Sequence, residues 1–221
     1  DPLSSFSQSS RVHPIQFREL MIQLNEPSYE AKIPFVEMSE NWSKEDGPDP
    51  VYKFKGISIL NRDSGFKGNL LGDDINGVQW LTDKTKRTDV TVKWGESKEP
   101  YTTTTVDEVH PEITPVVTKN KVQFDINIKL VVQTNELLDQ NKLNSLKKEI
   151  EQQVKKEIEQ TYKASLQFDS DVYRLSEVLY RKNVKAWKEY EKDGKIPLDE
   201  STIRKLDVEL VKVKGERITS D

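Results

Sequence analysis

From Val122 onward apolar and polar residues alternate without a break. Val122, Phe124, Ile126, Ile128, Leu130 and Val132 hold one phase, and Gln123, Asp125, Asn127 and Lys129 hold the other. A period of two is that of a strand with one buried face, and such a strand suits an antiparallel sheet with one wet side. After a polar turn from Asn135 to Asn141 the period lengthens: Leu143, Leu146, Ile150, Val154, Ile158, Tyr162 and Leu166 recur at the spacing of an amphipathic helix that buries one stripe. The pattern predicts that Phe124, Ile126, Ile128 and Leu130 pack against Ile150, Val154 and Ile158, so this stretch organises the core.

The same reading extends to both sides. Ile15, Phe17, Leu20, Met21 and Leu24 predict a short helix between Pro14 and Pro27. Ile33, Phe35 and Val36 predict a strand that Pro34 confines to an edge. The polar, turn-rich Ser39 to Pro50 reads as a boundary between an upstream tail, residues 1–50, and a C-terminal unit, residues 51–221. Within that unit Val51 to Leu60 predicts a strand bent at Gly56, Asn61 to Gly65 a turn, and Phe66 to Leu71 a second strand or the lead into a helix. Asp73 and Asp74 stand where an N-cap belongs, ahead of Ile75, Val78, Trp80 and Leu81. Asp89 to Trp94 and Tyr101 to Val106 predict strands, and Pro111 and Pro115 push Glu112 to Thr118 to an edge or a loop. Phe168 to Lys195 predicts one helix or two short ones, closed by Gly194 and Pro197, and Lys205 to Gly215 a last strand. The fold class is α+β: an antiparallel sheet packed against long amphipathic helices, preceded by a fragment of an upstream domain.

Composition narrows the chemistry. The 221 residues include no cysteine and only two histidines, His13 and His110, which removes disulfides, thiolate sites and cysteine nucleophiles and leaves histidine-based metal centres and triads short of parts. A net charge of -4 argues against a nucleic-acid partner. No run of about 20 apolar residues spans a bilayer.

The acidic pairs Asp73/Asp74 and Asp169/Asp171 each precede a helical run, where a carboxylate meets unpaired amides, and neither pair has the ligand repeat of a calcium loop. They read as caps. Both histidines precede prolines, at turns or element edges. The Lys147 to Glu159 run, with Glu151, Lys155 and Glu159 at i,i+4, reads as a solvated helix face. Arg181, Lys182, Lys185, Lys188 and Lys192 alternate with Tyr180, Trp187 and Tyr190; the pattern suits either an anionic partner or a polar helix face whose aromatics are core. The sequon Asn41-Trp42-Ser43 is a chance-level match. No catalytic, cofactor-binding or metal residue is assigned.

Two blocks resemble a known family, the C subunit of the nutrient germinant receptors of bacterial endospores. One runs from Tyr52 to Leu81, with an aromatic-x-Gly strand and an acidic residue before Gly77-Val78-Gln79-Trp80-Leu81; the other holds Asp171-Val172-Tyr173, an aliphatic helix, Trp187-Lys188 and a terminal Val/Lys strand. The resemblance spans Val51 to Gly215 and departs where glycines often follow the Asp-aliphatic-aromatic step, with Arg174 and Ser176 in their place. It implies a non-enzymatic receptor subunit without cofactor, on the outer face of the spore inner membrane. It also implies a lipid anchor upstream of Asp1, a complex with polytopic membrane subunits, and a role in receptor assembly or signalling. The alternatives are a solute-binding lipoprotein, which needs an enclosed polar pocket, and a carboxylate-based cell-wall hydrolase, which needs a paired-carboxylate cleft.

Overall fold

The computed structural model describes residues 15–26, 28–44, 47–82, 85–93, 101–134 and 140–214. Helix α1 (Phe17–Asn25) leads into strands β1 (Ala31–Lys44), β2 (Gly47–Asn61) and β3 (Gly65–Leu71), which pair antiparallel in the order β1-β2-β3. β1 is an edge, as Pro34 requires. The polar stretch read as a boundary holds the paired ends of β1 and β2, with Trp42 opposite Asp49 and Lys44 opposite Gly47. It is the tip of a long hairpin rather than an open linker.

Gly56 bends β2 as its position in the strand predicts. Phe35 pairs with Gly56 and Val36 with Phe54, so Lys55 is the extra residue of a bulge. A Cβ on Gly56 would lie 2.0 Å from the Leu70 carbonyl oxygen, which only glycine avoids. At the β2–β3 turn the Asn61 carboxamide oxygen accepts from the amides of Asp63 (2.9 Å) and Ser64 (3.2 Å), and Gly65 supplies a φ of 70°.

A 3-10 helix (Gly72–Leu81) connects to the second sheet, built from β4 (Lys86–Lys93), β5 (Tyr101–Val117), β6 (Val122–Gln133) and β7 (Ile203–Lys214) in that order. The two stretches expected around Tyr101 to Thr118 are one strand. β4 pairs with β5 only as far as Glu108, so Pro111 and Pro115 occupy the portion with no described outer neighbour. β4–β5 and β5–β6 are antiparallel, but β6 and β7 are parallel. Alternation reports which face is buried and says nothing of a neighbour's direction; the α+β class stands, with a mixed second sheet.

Parallel strands need a long crossover. It consists of α2 (Gln140–Leu166), α3 (Leu175–Lys182) and α4 (Val184–Tyr190). All six apolar residues of the β6 phase are buried, and so are Leu146, Ile150, Val154, Ile158 and Tyr162 of α2; they form one cluster with Ile57, Ile59 and Leu70 of the first sheet. The 3-10 helix locks onto α2 at two points. The Gly77 amide donates to Thr161 Oγ1 (2.9 Å), and Trp80, fully buried, donates through Nε1 to Glu157 Oε2 (2.7 Å). A Cβ on Gly77 would fall 2.5 Å from the Glu157 carbonyl oxygen, so this contact too demands glycine. Asp73 and Asp74 lie inside the first turn rather than at the cap, which is Leu71 without a side-chain bond; Asp74 instead accepts from Gln160 Nε2 at 2.9 Å.

Because Ile128 is 1% exposed at the centre of this cluster, Ile128→Ala should cost about 2 to 5 kcal/mol. Urea unfolding measures it, and a near-neutral result would show that β6 does not carry the core.

Candidate functional site

After α2 the chain turns sharply through Asp169, whose φ is 49°, and its polar groups meet the strands of the first sheet. The Asp171 carboxylate caps α3: Oδ1 accepts from the Leu175 amide (2.8 Å) and Oδ2 from the Ser176 amide (2.7 Å). Capping is the role the sequence predicts for this residue. Arg174, immediately before α3, takes a φ of 59°, the left-handed conformation that glycine adopts freely. It stands at one of the positions where the resemblance leads one to expect glycine. Its guanidinium lies 4.0 Å over the Tyr29 ring and pairs with Glu177.

Glu30 is the centre of the arrangement. It is 4% exposed and accepts from Lys67 Nζ (3.0 Å), Ser170 Oγ (2.6 Å) and the Asp171 amide (2.8 Å). Lys195 Nζ lies 2.7 Å from Asp169 Oδ1 and Lys67 Nζ 3.6 Å from Oδ2, while both ammonium groups also donate to the Asp169 carbonyl. Nearby, Trp187 Nε1 donates to Ser28 Oγ (2.7 Å), which donates to the Gly194 carbonyl (2.8 Å). Residues 28–32 and 67 are thereby stitched to the 169–174 loop and the 194–195 turn.

Burial sets the charges of this seam. The enclosed Lys32 ammonium donates to the Val172 carbonyl (2.8 Å), although the residue as a whole is only partly covered. Burial, with the Arg174 charge added, pulls its pKa down to about 8. Burial likewise pushes Asp171 up, against the pull of the Ser176 and Leu175 amides. Desolvation works against the charges of Lys67 and Asp169 too, but is outweighed: Glu30 holds Lys67 above the ordinary lysine value, and Lys195 with Lys67 holds Asp169 below the usual carboxylate range.

A cleft of about 210 Å³ opens beside the seam, lined among others by Tyr29, Glu30, Asp63, Asp171, Asp193 and Lys195. The carboxylates of Glu30 and Asp171 are committed to structural bonds, and among the described residues no group of three or more His, Asp or Glu is placed to hold a metal ion. The arrangement joins the first sheet and its lead-in to the crossover that follows α2.

The other candidates disperse. His110 is exposed, 3.2 Å from Glu108; His13 and the side chains of Asn41, Trp42 and Ser43 lie outside the described residues. Of the basic run, Arg181 is taken by Glu177 and Glu26 and Lys182 by the Ile113 carbonyl, while Lys185, Lys188 and Lys192 are exposed. Its aromatics pack: Tyr180 and Trp187 meet edge to face at 5.1 Å, and Tyr190 donates to the Thr118 carbonyl at 2.7 Å. Asp169 pairs with lysines instead of capping. Glu30, Lys32 and Lys67 carry no sequence signal, since Ser170 and Val172 are 140 positions from Glu30 and Lys32.

A comparison with family models finds "Spore germination B3/ GerAC like, C-terminal" over residues 55–214. The chain belongs to this family. A search of curated proteins finds no match. Among solved structures, "Crystal Structure of the GerBC protein" is similar in fold, with a TM-score of 0.71 and 18% identity over 91% of this chain; the chain spans 61% of that one. In this spore germination domain the residues behind the resemblance, Gly56, Gly77, Trp80, Asp171 and Trp187, serve packing, turns and capping. No described helix is long and apolar enough to cross a membrane.

Two measurements test the seam. Asp171→Ala should cost about 1 to 2 kcal/mol through the lost cap, with Asp171→Asn less harmful because one acceptor remains; equal losses in thermal unfolding would contradict the capping role. Between about 8 and the ordinary 10.5 of Lys32, the unfolded chain holds a proton that the folded chain has released, so this residue's contribution to stability rises with pH across that window. Lys32→Met should remove the rise: relative to wild type, the variant loses ground from pH 8 to 10.5 in urea unfolding, whereas a pH-independent difference would refute the burial of this charge.

Proposed function

We propose that this chain is part of a non-enzymatic subunit of a spore nutrient germinant receptor, where it supports assembly or signalling. The observation that carries the reading is the family match over residues 55–214. The engagement of Glu30 and Asp171 in structural bonds supports a joint and weighs against a paired-carboxylate hydrolase. In this reading residues 51–221 carry the receptor domain, and the upstream unit continues into it through β1, which pairs with β2. A lipid anchor upstream of Asp1 holds the subunit at the outer face of the spore inner membrane, beside polytopic membrane partners.

The test is genetic. In a strain without paralogous receptors, deletion of the parent gene should abolish the nutrient response and leave dormant spores otherwise intact, and normal germination would overturn the reading. Calorimetry of the isolated chain with the same nutrients separates a solute-binding role at the 210 Å³ cleft: the proposal expects no heat, and saturable binding would favour the solute-binding alternative.

A further inference from the structure

The chain has one Asn-Gly step, Asn76-Gly77, and it lies inside the 3-10 helix (Gly72–Leu81). Asn-Gly is the asparagine context most open to spontaneous deamidation, because a glycine amide has no side chain to shield it and turns freely toward the preceding carboxamide. The fold treats the two reacting groups differently. The Asn76 side chain is half-buried, and among the described residues no group hydrogen-bonds to its carboxamide. The Gly77 amide is buried and donates to Thr161 Oγ1 at 2.9 Å. A Cβ on Gly77 would fall 2.5 Å from both the Glu157 carbonyl oxygen and the Tyr173 hydroxyl, so α2 and the loop after it leave this amide no free space. Trp80, one turn further, repeats the hold through Glu157 at 2.7 Å.

We infer that Asn76 is a deamidation site closed by the docking of the 3-10 helix on α2 and opened when that helix lifts away. In the reaction the Gly77 nitrogen attacks Asn76 Cγ, its proton and the carboxamide nitrogen leave as ammonia, and a succinimide forms. Water then opens the ring at either carbonyl, giving aspartate or isoaspartate at position 76, and no other reactant is needed. Ring closure requires the Asn76 backbone to leave the helical range of ψ and the Gly77 nitrogen to give up Thr161. The docked helix prevents both. Isoaspartate makes the main chain one methylene longer beside Gly77, where not even a Cβ fits, and either product adds a negative charge next to Asp73 and Asp74. The helix then has no room to return, so a reversible opening becomes a permanent one.

The test follows the full-length subunit through incubation in mildly alkaline buffer. Mass spectrometry of the proteolytic peptide reads deamidation at position 76, and chromatography separates the two products. The native wild type should react at least about tenfold more slowly than the same protein in urea. Thr161→Val keeps the shape of the side chain and removes the acceptor, and Trp80→Phe removes the second hold. Each should speed the native reaction several-fold, while the exposed Asn144 of α2, followed by Ser145, keeps its wild-type rate. A rise at both positions together marks global unfolding and counts against lifting of the helix as the gate. Native wild type that reacts as fast as the urea sample overturns the lock, and so does an unchanged rate in both variants. No reaction at position 76 even in urea overturns the site itself.

Discussion

Parallel neighbours cannot be joined by a tight turn, so pairing β6 with β7 obliges the chain to travel back along the sheet between them. That journey is α2, α3 and α4, and most of what distinguishes the molecule hangs from it. α2 lays its stripe of Leu146, Ile150, Val154 and Ile158 into the common core with the buried residues of β6, the 3-10 helix docks on α2 through Gly77 and Trp80, and Glu151 reaches past the sheet to the edge of β7. An open strand edge is an aggregation hazard unless it is covered or otherwise blunted. Here one outward amide is already satisfied by a side chain of the crossover helix.

The same crossover creates the polar seam. Where α2 ends, the chain must reverse direction in a few residues before α3, and it does so with Asp169 and Arg174 in left-handed conformations. A turn of that kind exposes main-chain groups, and the first sheet answers them with Glu30, Lys32 and Lys67. Burying Glu30 as a charge is tolerable only because a cation, a hydroxyl and an amide reach it together. Removing one member of such a set leaves the rest buried and unmatched, which makes the seam a specific lock and a poor candidate for loose adaptation.

Family membership gives the biological setting, and the residues that carry the likeness are occupied in close backbone approaches, a cap and indole hydrogen bonds. The marked residues of this domain build its frame. Outside that frame stand the exposed lysines of α4, Lys185 and Lys188.

Local periodicity settled a good part of this protein in advance. The strand from Val122, the helix from Leu143, the bend at Gly56, the hairpin turn at Asn61 to Gly65, the edge positions imposed by proline and the capping by Asp171 each depend on residues a few positions apart, and each is legible for that reason. The hairpin across Ser39 to Pro50 was hidden because polar, proline-bearing residues at an edge look like a linker. The parallel direction of β7 was hidden because alternation has no sign. The seam was invisible for a stronger reason: Glu30 and Ser170 are ordinary polar residues until folding removes the water between segments 140 positions apart. Burial and pairing at that range are properties of the tertiary structure, and they decide where the charges shift.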